Sequence, residues 1–248
     1  MVGSPDRRLR PWLPRGYTGV GESVAPHRLV LSASVAVPLI TRVADSAYRP
    51  PVFVLGGHGA HAVMEGDCAP AYLEVWLSPL GAYSLLGAPP DELTGQLVDA
   101  ASLFGAAARR LAERIREAAT WRQRFEVMDE FLLRRLALGP QPAPEVAYAW
   151  RRLVAAGGSV AIGEIADEVG WSHKHLIARF KRQVGLAPKA AARVIRFDRV
   201  SRYVAQHRDV PLGELAFDFG YADQAHMSRD FKSFSGTTLT GFLDRAAT

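Results

Sequence analysis

Two stretches of this chain, fifty residues apart, are close copies of one another. Ile162-Gly163-Glu164-Ile165-Ala166-Asp167-Glu168-Val169-Gly170-Trp171 aligns with Leu212-Gly213-Glu214-Leu215-Ala216-Phe217-Asp218-Phe219-Gly220-Tyr221 at an offset of 50. After a one-residue insertion the offset becomes 51. His175-Leu176 then aligns with His226-Met227, Phe180-Lys181 with Phe231-Lys232, and Gly185 with Gly236. A chain that repeats core, turn and polar positions together has to build the same local unit twice.

Each copy reads as two helices joined by a tight turn. Ile162, Ile165 and Val169, or Leu212, Leu215 and Phe219, recur at spacings of 3 and 4 and form one stripe of a first helix. Ala166 and Ala216 are small where two helices have to cross closely. Gly170 and Gly220 end that helix, because a left-handed turn costs glycine no Cβ clash. Ser172 is placed to cap the next helix, and Asp223 stands at the cap or in the first turn of its own. Leu176 and Phe180, or Met227 and Phe231, are the buried positions of the second helix, whose opposite side is polar. Ala161, where a cap is common, lacks a side-chain acceptor, an omission worth about 1 kcal/mol.

Between the copies, Pro188 to Gln206 keeps helical spacing through Val194, Ile195, Phe197, Val200, Tyr203 and Val204. Pro188 suits a first helical turn. Arg193, Arg196, Arg199 and Arg202 are interleaved and read, for the most part, as a solvated face. About 18 helical residues span about 27 Å, so with the flanking elements the two units stand near one duplex turn apart, roughly 34 Å. Two exposed helices so placed suit successive major grooves on one side of double-stranded DNA, an asymmetric site read by one polypeptide.

The fold class expected is α+β. Residues 1–90 carry the short strand patterns Leu29–Leu31, Val35–Thr41, Pro51–Leu55 and Tyr72–Leu77, punctuated by Arg49-Pro50-Pro51 and Gly56-Gly57-His58-Gly59, and read as a small β-barrel or sandwich. Leu103, Phe104, Ala107, Leu111 and Ile115 mark one trailing helix, and Phe125, Met128, Phe131, Leu132 and Leu136 another. The helix Trp121–Leu138 suits dimerisation as well as it suits packing on its own domain. Three prolines in Gly139–Pro144 make a stiff linker, which divides an N-terminal sensing or association domain, 1–138, from an all-helical domain, 145–248.

At these positions the chain resembles the AraC/XylS family of bacterial regulators. Glu164-Ile165-Ala166 to Gly170, then Leu176 to Phe180-Lys181, is similar to the family's first helix-turn-helix, and Gly220-Tyr221-Ala222-Asp223 through Phe231-Lys232 to Gly236 is similar to its second. The resemblance implies seven helices over about residues 145–245. It also implies a transcription regulator, usually an activator, that works through contact with RNA polymerase. Carried over by position, it implies that His173, Lys174, Ile177 and Ala178 face bases from the first unit, and Gln224, Ala225, Ser228 and Arg229 from the second. Gln suits adenine N6 and N7, and Arg suits guanine O6 and N7. Ile177 and Ala178 offer contact to a thymine methyl but no hydrogen bond. Ser172, Lys181, Arg182 and Lys232 are the phosphate candidates, which position the protein without reading sequence. Less closely, Val75-Trp76-Leu77-Ser78-Pro79-Leu80-Gly81-Ala82-Tyr83, Leu86-Gly87 and Leu93-Thr94 resemble the sensor-like N-terminal domain of some actinobacterial-type relatives, which implies a β-rich fold followed by helices.

Charge and composition fit this reading without deciding it. The net charge is +5, of which +4 lies in Glu145–Thr248, where 15 Lys and Arg face 11 Asp and Glu. At 48% apolar and 22% charged residues the chain has material for a core and none of the profile of a disordered one. No apolar run is long enough for a membrane helix, and polar Met1–Arg10 lacks the apolar stretch of a secretory signal. The single cysteine, Cys68, excludes a disulfide within the chain. A cytoplasmic, non-enzymatic protein with no cofactor is expected, with room for a small-molecule effector and for a homodimer.

Other candidates carry less. His58 and His61 lie in a glycine-rich turn near Glu65 and Asp67, but loop histidines need no metal, and none is expected. Cys68 has neither a second Cys nor a basic cluster beside it, so it reads as a passive thiol rather than a redox or alkyl acceptor. Trp12, Tyr17, Trp76 and Tyr83 suit a core more than a ligand pocket. The alternative to specific regulation is a ligand-binding or protein-interaction module whose helical half no longer reads DNA, which Ile177 and Ala178 motivate.

Overall fold

The computed structural model describes residues 1–21, 28–43, 49–65, 71–207 and 212–245. Cys68 and Asp67 lie outside the described residues. The first part of the chain runs β1 (Val2–Gly3), β2 (Tyr17–Val20), β3 (Arg28–Leu31), β4 (Val37–Arg42), β5 (Val52–Leu55), β6 (Ala62–Glu65), β7 (Tyr72–Leu77), α1 (Pro79–Leu86), α2 (Pro90–Leu93), β8 (Leu97–Asp99), α3 (Ala100–Phe104), α4 (Ala106–Glu117) and α5 (Trp121–Leu138). The second is helical among its described residues: α6 (Pro144–Ala155), α7 (Ile162–Glu168), α8 (His173–Val184), α9 (Pro188–Gln206), α10 (Leu212–Asp218), α11 (Gln224–Ser235) and α12 (Leu239–Arg245). These are the α+β class and the seven C-terminal helices expected.

Six strands form one antiparallel sheet in the order β1-β2-β7-β4-β5-β8, and β3 pairs with β6 in a separate ribbon. The centre is β4 against β7, with Val37 opposite Leu77 and Thr41 opposite Leu73. Alternate residues of β7, namely Leu73, Val75 and Leu77, are buried, as a half-covered strand requires. Helices cover that face: α4 crosses β4 and β5, and α5 lays its aromatic rings on β1 and β2.

That last contact explains a strand the sequence pattern hid. β2 has a glycine, Gly19, in its interior, which weakens any strand signal. A Cβ at Gly19 would stand 2.4 Å from the Trp121 ring, and one at Gly3 equally close to the Phe125 ring. The glycines are flat seats for the two rings. Tyr17, buried on β2, stacks on Phe125 with ring centroids 5.5 Å apart and donates its hydroxyl to Asp129 at 2.5 Å. Burial, reinforced by the Asp129 carboxylate, pushes the Tyr17 phenol well above its usual range.

One expected element is divided, and one of two open alternatives is favoured. The apolar stripe from Leu103 to Ile115 is not one helix: Gly105, at φ +55° and ψ −133°, separates α3 from α4, and periodicity alone does not register a bend that keeps the stripe in phase. The apolar side of α5 is also occupied. Met128 and Leu132 are fully buried, and Phe125, Phe131 and Leu136 pack on the same N-terminal core.

The two cores meet at α1. Ser78 caps this helix, Pro79 opens it and Gly87, at φ +74°, closes it. Ala82, Leu85 and Leu86 belong to the N-terminal core, whereas Leu80 belongs to the helical one. The linker is pinned as well: the Ala143 amide donates to the buried Gln183 side chain at 2.9 Å.

Candidate nucleic-acid interface

Both repeats close with the same backbone turn. In the first, the Gly170 amide donates to Asp167 O at 3.1 Å and the Trp171 amide to Ala166 O at 3.0 Å. In the second, Gly220 donates to Phe217 O at 3.0 Å and Tyr221 to Ala216 O at 2.9 Å. This pair of bonds is the Schellman closure, which demands a left-handed residue. Gly170 and Gly220 supply it at φ +69° and +74°. Ala166 and Ala216 are buried at the helix crossing, beside Ile165 and Leu215. Ile162, Val169 and Phe219 are only partly buried, at the rim of the stripe; the side chain of Leu212 lies outside the described residues.

After the turn each unit starts its second helix on a side-chain cap. Ser172 Oγ accepts from the His175 amide at 3.3 Å, and Asp223 Oδ1 from the His226 amide at 2.6 Å. Leu176 and Phe180 in α8, and Met227 and Phe231 in α11, are turned into the core. Ala161, at the start of α7, makes no side-chain cap.

The opposite faces are open to solvent. His173, Lys174, Ala178, Lys181 and Arg182 are exposed on α8, with Ile177 half-buried. Gln224, Ala225, Arg229 and Lys232 are exposed on α11, with Ser228 half-buried. Ser172 is exposed, with its oxygen engaged in the cap. The candidates therefore gather on one face of each helix. Arg179, which is not among the candidates, is also exposed on α8, whereas its counterpart at the 51-residue offset, Asp230, is buried.

Arg193, Arg196 and Arg199 are not a solvated face. Arg193 grips buried Asp230 with two bonds, of 2.6 and 3.2 Å. Arg196 and Arg199 donate to Gly158 O and Gly157 O at 2.7 and 3.4 Å. Arg202 does keep to the surface, paired with Asp198 at 2.6 Å. Burial, with the Asp230 charge adding to it, pushes the Tyr221 phenol beneath Arg196 up to about 12.

Among the described residues, the N-terminal part hydrogen-bonds to both units at the far ends of their second helices. Thr94 Oγ1 donates to Gly185 O at 2.9 Å, just past α8. The Ala33 amide donates to Phe234 O at 2.7 Å and the His61 amide to Ser233 O at 3.1 Å, in the last turn of α11. His61 Nδ1 lies 2.9 Å from that same Ser233 carbonyl, whereas His58 Nδ1 faces Gly56 O. The two histidines thus serve different carbonyls. Of the aromatic candidates, Tyr17 and Trp12 pack in the cores and Trp76 lies under Arg15 at 4.4 Å.

Residues 165–245 match a family model described as a helix-turn-helix domain. The C-terminal part is thus similar to a helix-turn-helix domain. Over 89 residues it is 30% identical to an uncharacterized HTH-type transcriptional regulator, YbfI, of Bacillus subtilis (strain 168), which covers 36% of this chain and 32% of the relative. The match thus spans about a third of that protein's length. ToxT of Vibrio cholerae O395 is similar in fold across both parts, with a TM-score of 0.50 and 11% identity over 92% of this chain and 97% of ToxT. The C-terminal domain of AraT, a response regulator from Geobacillus stearothermophilus, aligns at a TM-score of 0.40 and 18% identity over 43% of this chain and 88% of that one. Among the described residues no helix is long and apolar enough to cross a membrane.

Proposed function

We propose that this chain is a sequence-specific transcription regulator that places α8 and α11 of its AraC-type domain in successive major grooves of promoter DNA. The observation that carries the reading is the repetition of one turn, one cap position and one exposed polar helix face on either side of α9. At about 1.5 Å per residue, α9 spans about 28 Å, close to one duplex turn of roughly 34 Å once flanking elements are added. Gln224 and Arg229 read adenine and guanine edges. His173 and Lys174 read for the first unit, and Ile177 and Ala178 add only apolar contact. Lys181, Arg182, Lys232 and Ser172 hold phosphates, the lysines and arginine at helix ends where the dipole favours cations.

In this reading residues 1–138 form the sensing or association domain, 139–144 the linker, and 145–248 the reader. A small-molecule effector, a homodimer, activation through RNA polymerase and a cytoplasmic location complete it. Random-site selection with the full chain, followed by fluorescence anisotropy over a salt series, tests it. A selected site and a steep fall in affinity with salt are expected; Lys232→Ala lowers the slope by about 1 and weakens all sequences alike. Affinity without sequence preference would leave the module that has lost specific recognition as the better reading.

A further inference from the structure

A rod such as α9 fixes how far apart two units stand, but not how one is turned about the rod relative to the other. The side chains along α9 supply that missing constraint. Arg193, Arg196 and Arg199 follow at three-residue intervals, and each guanidinium lies over an aromatic ring of the second unit. Arg193 covers Phe234 at 5.1 Å, Arg196 covers Tyr221 at 5.3 Å and Arg199 covers Phe219 at 5.1 Å. The same side chains reach away from those rings. Arg196 and Arg199 donate to the Gly157-Gly158 turn that leads from α6 into the first unit. Arg193 adds its fork on Asp230, whose side chain is 4% exposed.

The turn is shaped for this contact. Gly157 and Gly158 have φ of +58° and +80°. A Cβ on Gly157 would stand 1.9 Å from Arg199 Nη1, and one on Gly158 would stand 2.3 Å from Ala192 O. The neighbouring Ser159 comes within 3.3 Å of where a Cβ of Gly220 would be, so the entry turn of the first unit abuts the internal turn of the second. A planar, forked cation suits such a seam because it stacks on one side and hydrogen-bonds at its edge, which a lysine ammonium does not do.

We propose that Arg193, Arg196 and Arg199 are positioning residues that fix the rotation of α11 relative to α8, and thereby select the number of base pairs between the two halves of the DNA site. The spacing part of this rests on the DNA reading given above; the rotational part does not, so the two are tested separately. The variants are Arg196→Lys alone and Arg196→Lys with Arg199→Lys, in the full chain. Both keep charge and lose the planar fork.

Spin labels at Arg179→Cys and Asp218→Cys, on a Cys68→Ser background, report the distance between the units without DNA. One narrow distribution is expected for the parent and a visibly broadened one for the variants, with cooperative melting retained. On DNA, each inserted base pair turns one half-site by about 35°, so inserting or deleting one between the halves lowers parent affinity by about tenfold. The double variant binds the three spacings within about threefold of one another. A cooperatively melting variant that keeps the narrow distribution and the parent's spacing preference overturns the proposal. If the parent itself selects no sequence, the DNA reading fails, and the distance distributions still decide whether the arginines hold the units in register. If the double variant does not melt cooperatively, the single variant decides by the same measurements.

Discussion

The two helix-turn-helix units share a backbone but not the means of holding it. In the first, the clamp is external: Arg152 of α6 grips Glu168 at the end of α7 with bonds of 2.7 and 2.9 Å, and the Tyr148 hydroxyl donates to the same carboxylate. In the second, the clamp is internal: buried Asp230 on α11 takes the Arg193 fork from α9. The position of Asp230 in the first unit is occupied by exposed Arg179. Duplication thus preserved what a turn demands of any chain, namely a glycine at positive φ, a small crossing residue and a cap. It left the surrounding charges to diverge. The first unit is tied to its own leading helix, and the second to the rod that joins it to the first.

The parts held in common should respond alike. Phe180→Ala and Phe231→Ala each empty the centre of a unit, and each is expected to cost about 3–5 kcal/mol, read by thermal or denaturant melting. Unequal losses would mean that one unit relaxes around the hole and the other does not. The clamps should separate them. Asp230→Ala removes charge-assisted bonds to a half-exposed arginine and is expected to cost about 1.5–3 kcal/mol, whereas Arg179→Ala at the matching position stays within about 0.5 kcal/mol.

The caps give a smaller contrast. Asp223→Ala and Ser172→Ala each cost about 1 kcal/mol, with Asp223 at the upper end because its cap bond is the shorter and its charge meets the helix dipole. The smallest effect is in acid. The Arg152 guanidinium beside Glu168 holds that carboxyl below its ordinary value. A lowered folded-state value means stabilisation present above the unfolded value and lost as pH falls through the folded one. Glu168→Gln should therefore lower stability near neutrality and flatten its decline on acidification, read by melting over a pH series.

What was legible in the sequence follows the same division. Gly170, Ser172, Phe180 and their counterparts obey local rules, so pattern alone located both units and the rod between them. The role of Arg193, Arg196 and Arg199 depends on Phe234, Tyr221, Phe219 and a turn some forty residues upstream, and an arginine against a distant ring has the same sequence signature as one in water. β2 was hidden for a related reason, since Gly19 makes sense only with Trp121 above it. The docking of Thr94, Ala33 and His61 on the far ends of α8 and α11 left no pattern at all, because two of those three contacts use backbone amides that every residue possesses. The base-facing positions rest on resemblance carried over by position, which does not include Arg179, a residue the structure exposes on α8.

Guanine N7 methylation interference on a selected site tests the central claim most directly, because it reports major-groove contact base by base. Two clusters of interference about one helical turn, 10 base pairs, apart on the same side of the duplex are expected, with Arg229→Ala erasing a position from the cluster belonging to α11 and leaving the other intact. A single cluster, or two that respond together to Arg229→Ala, would contradict the account of two independent reading helices held on one frame.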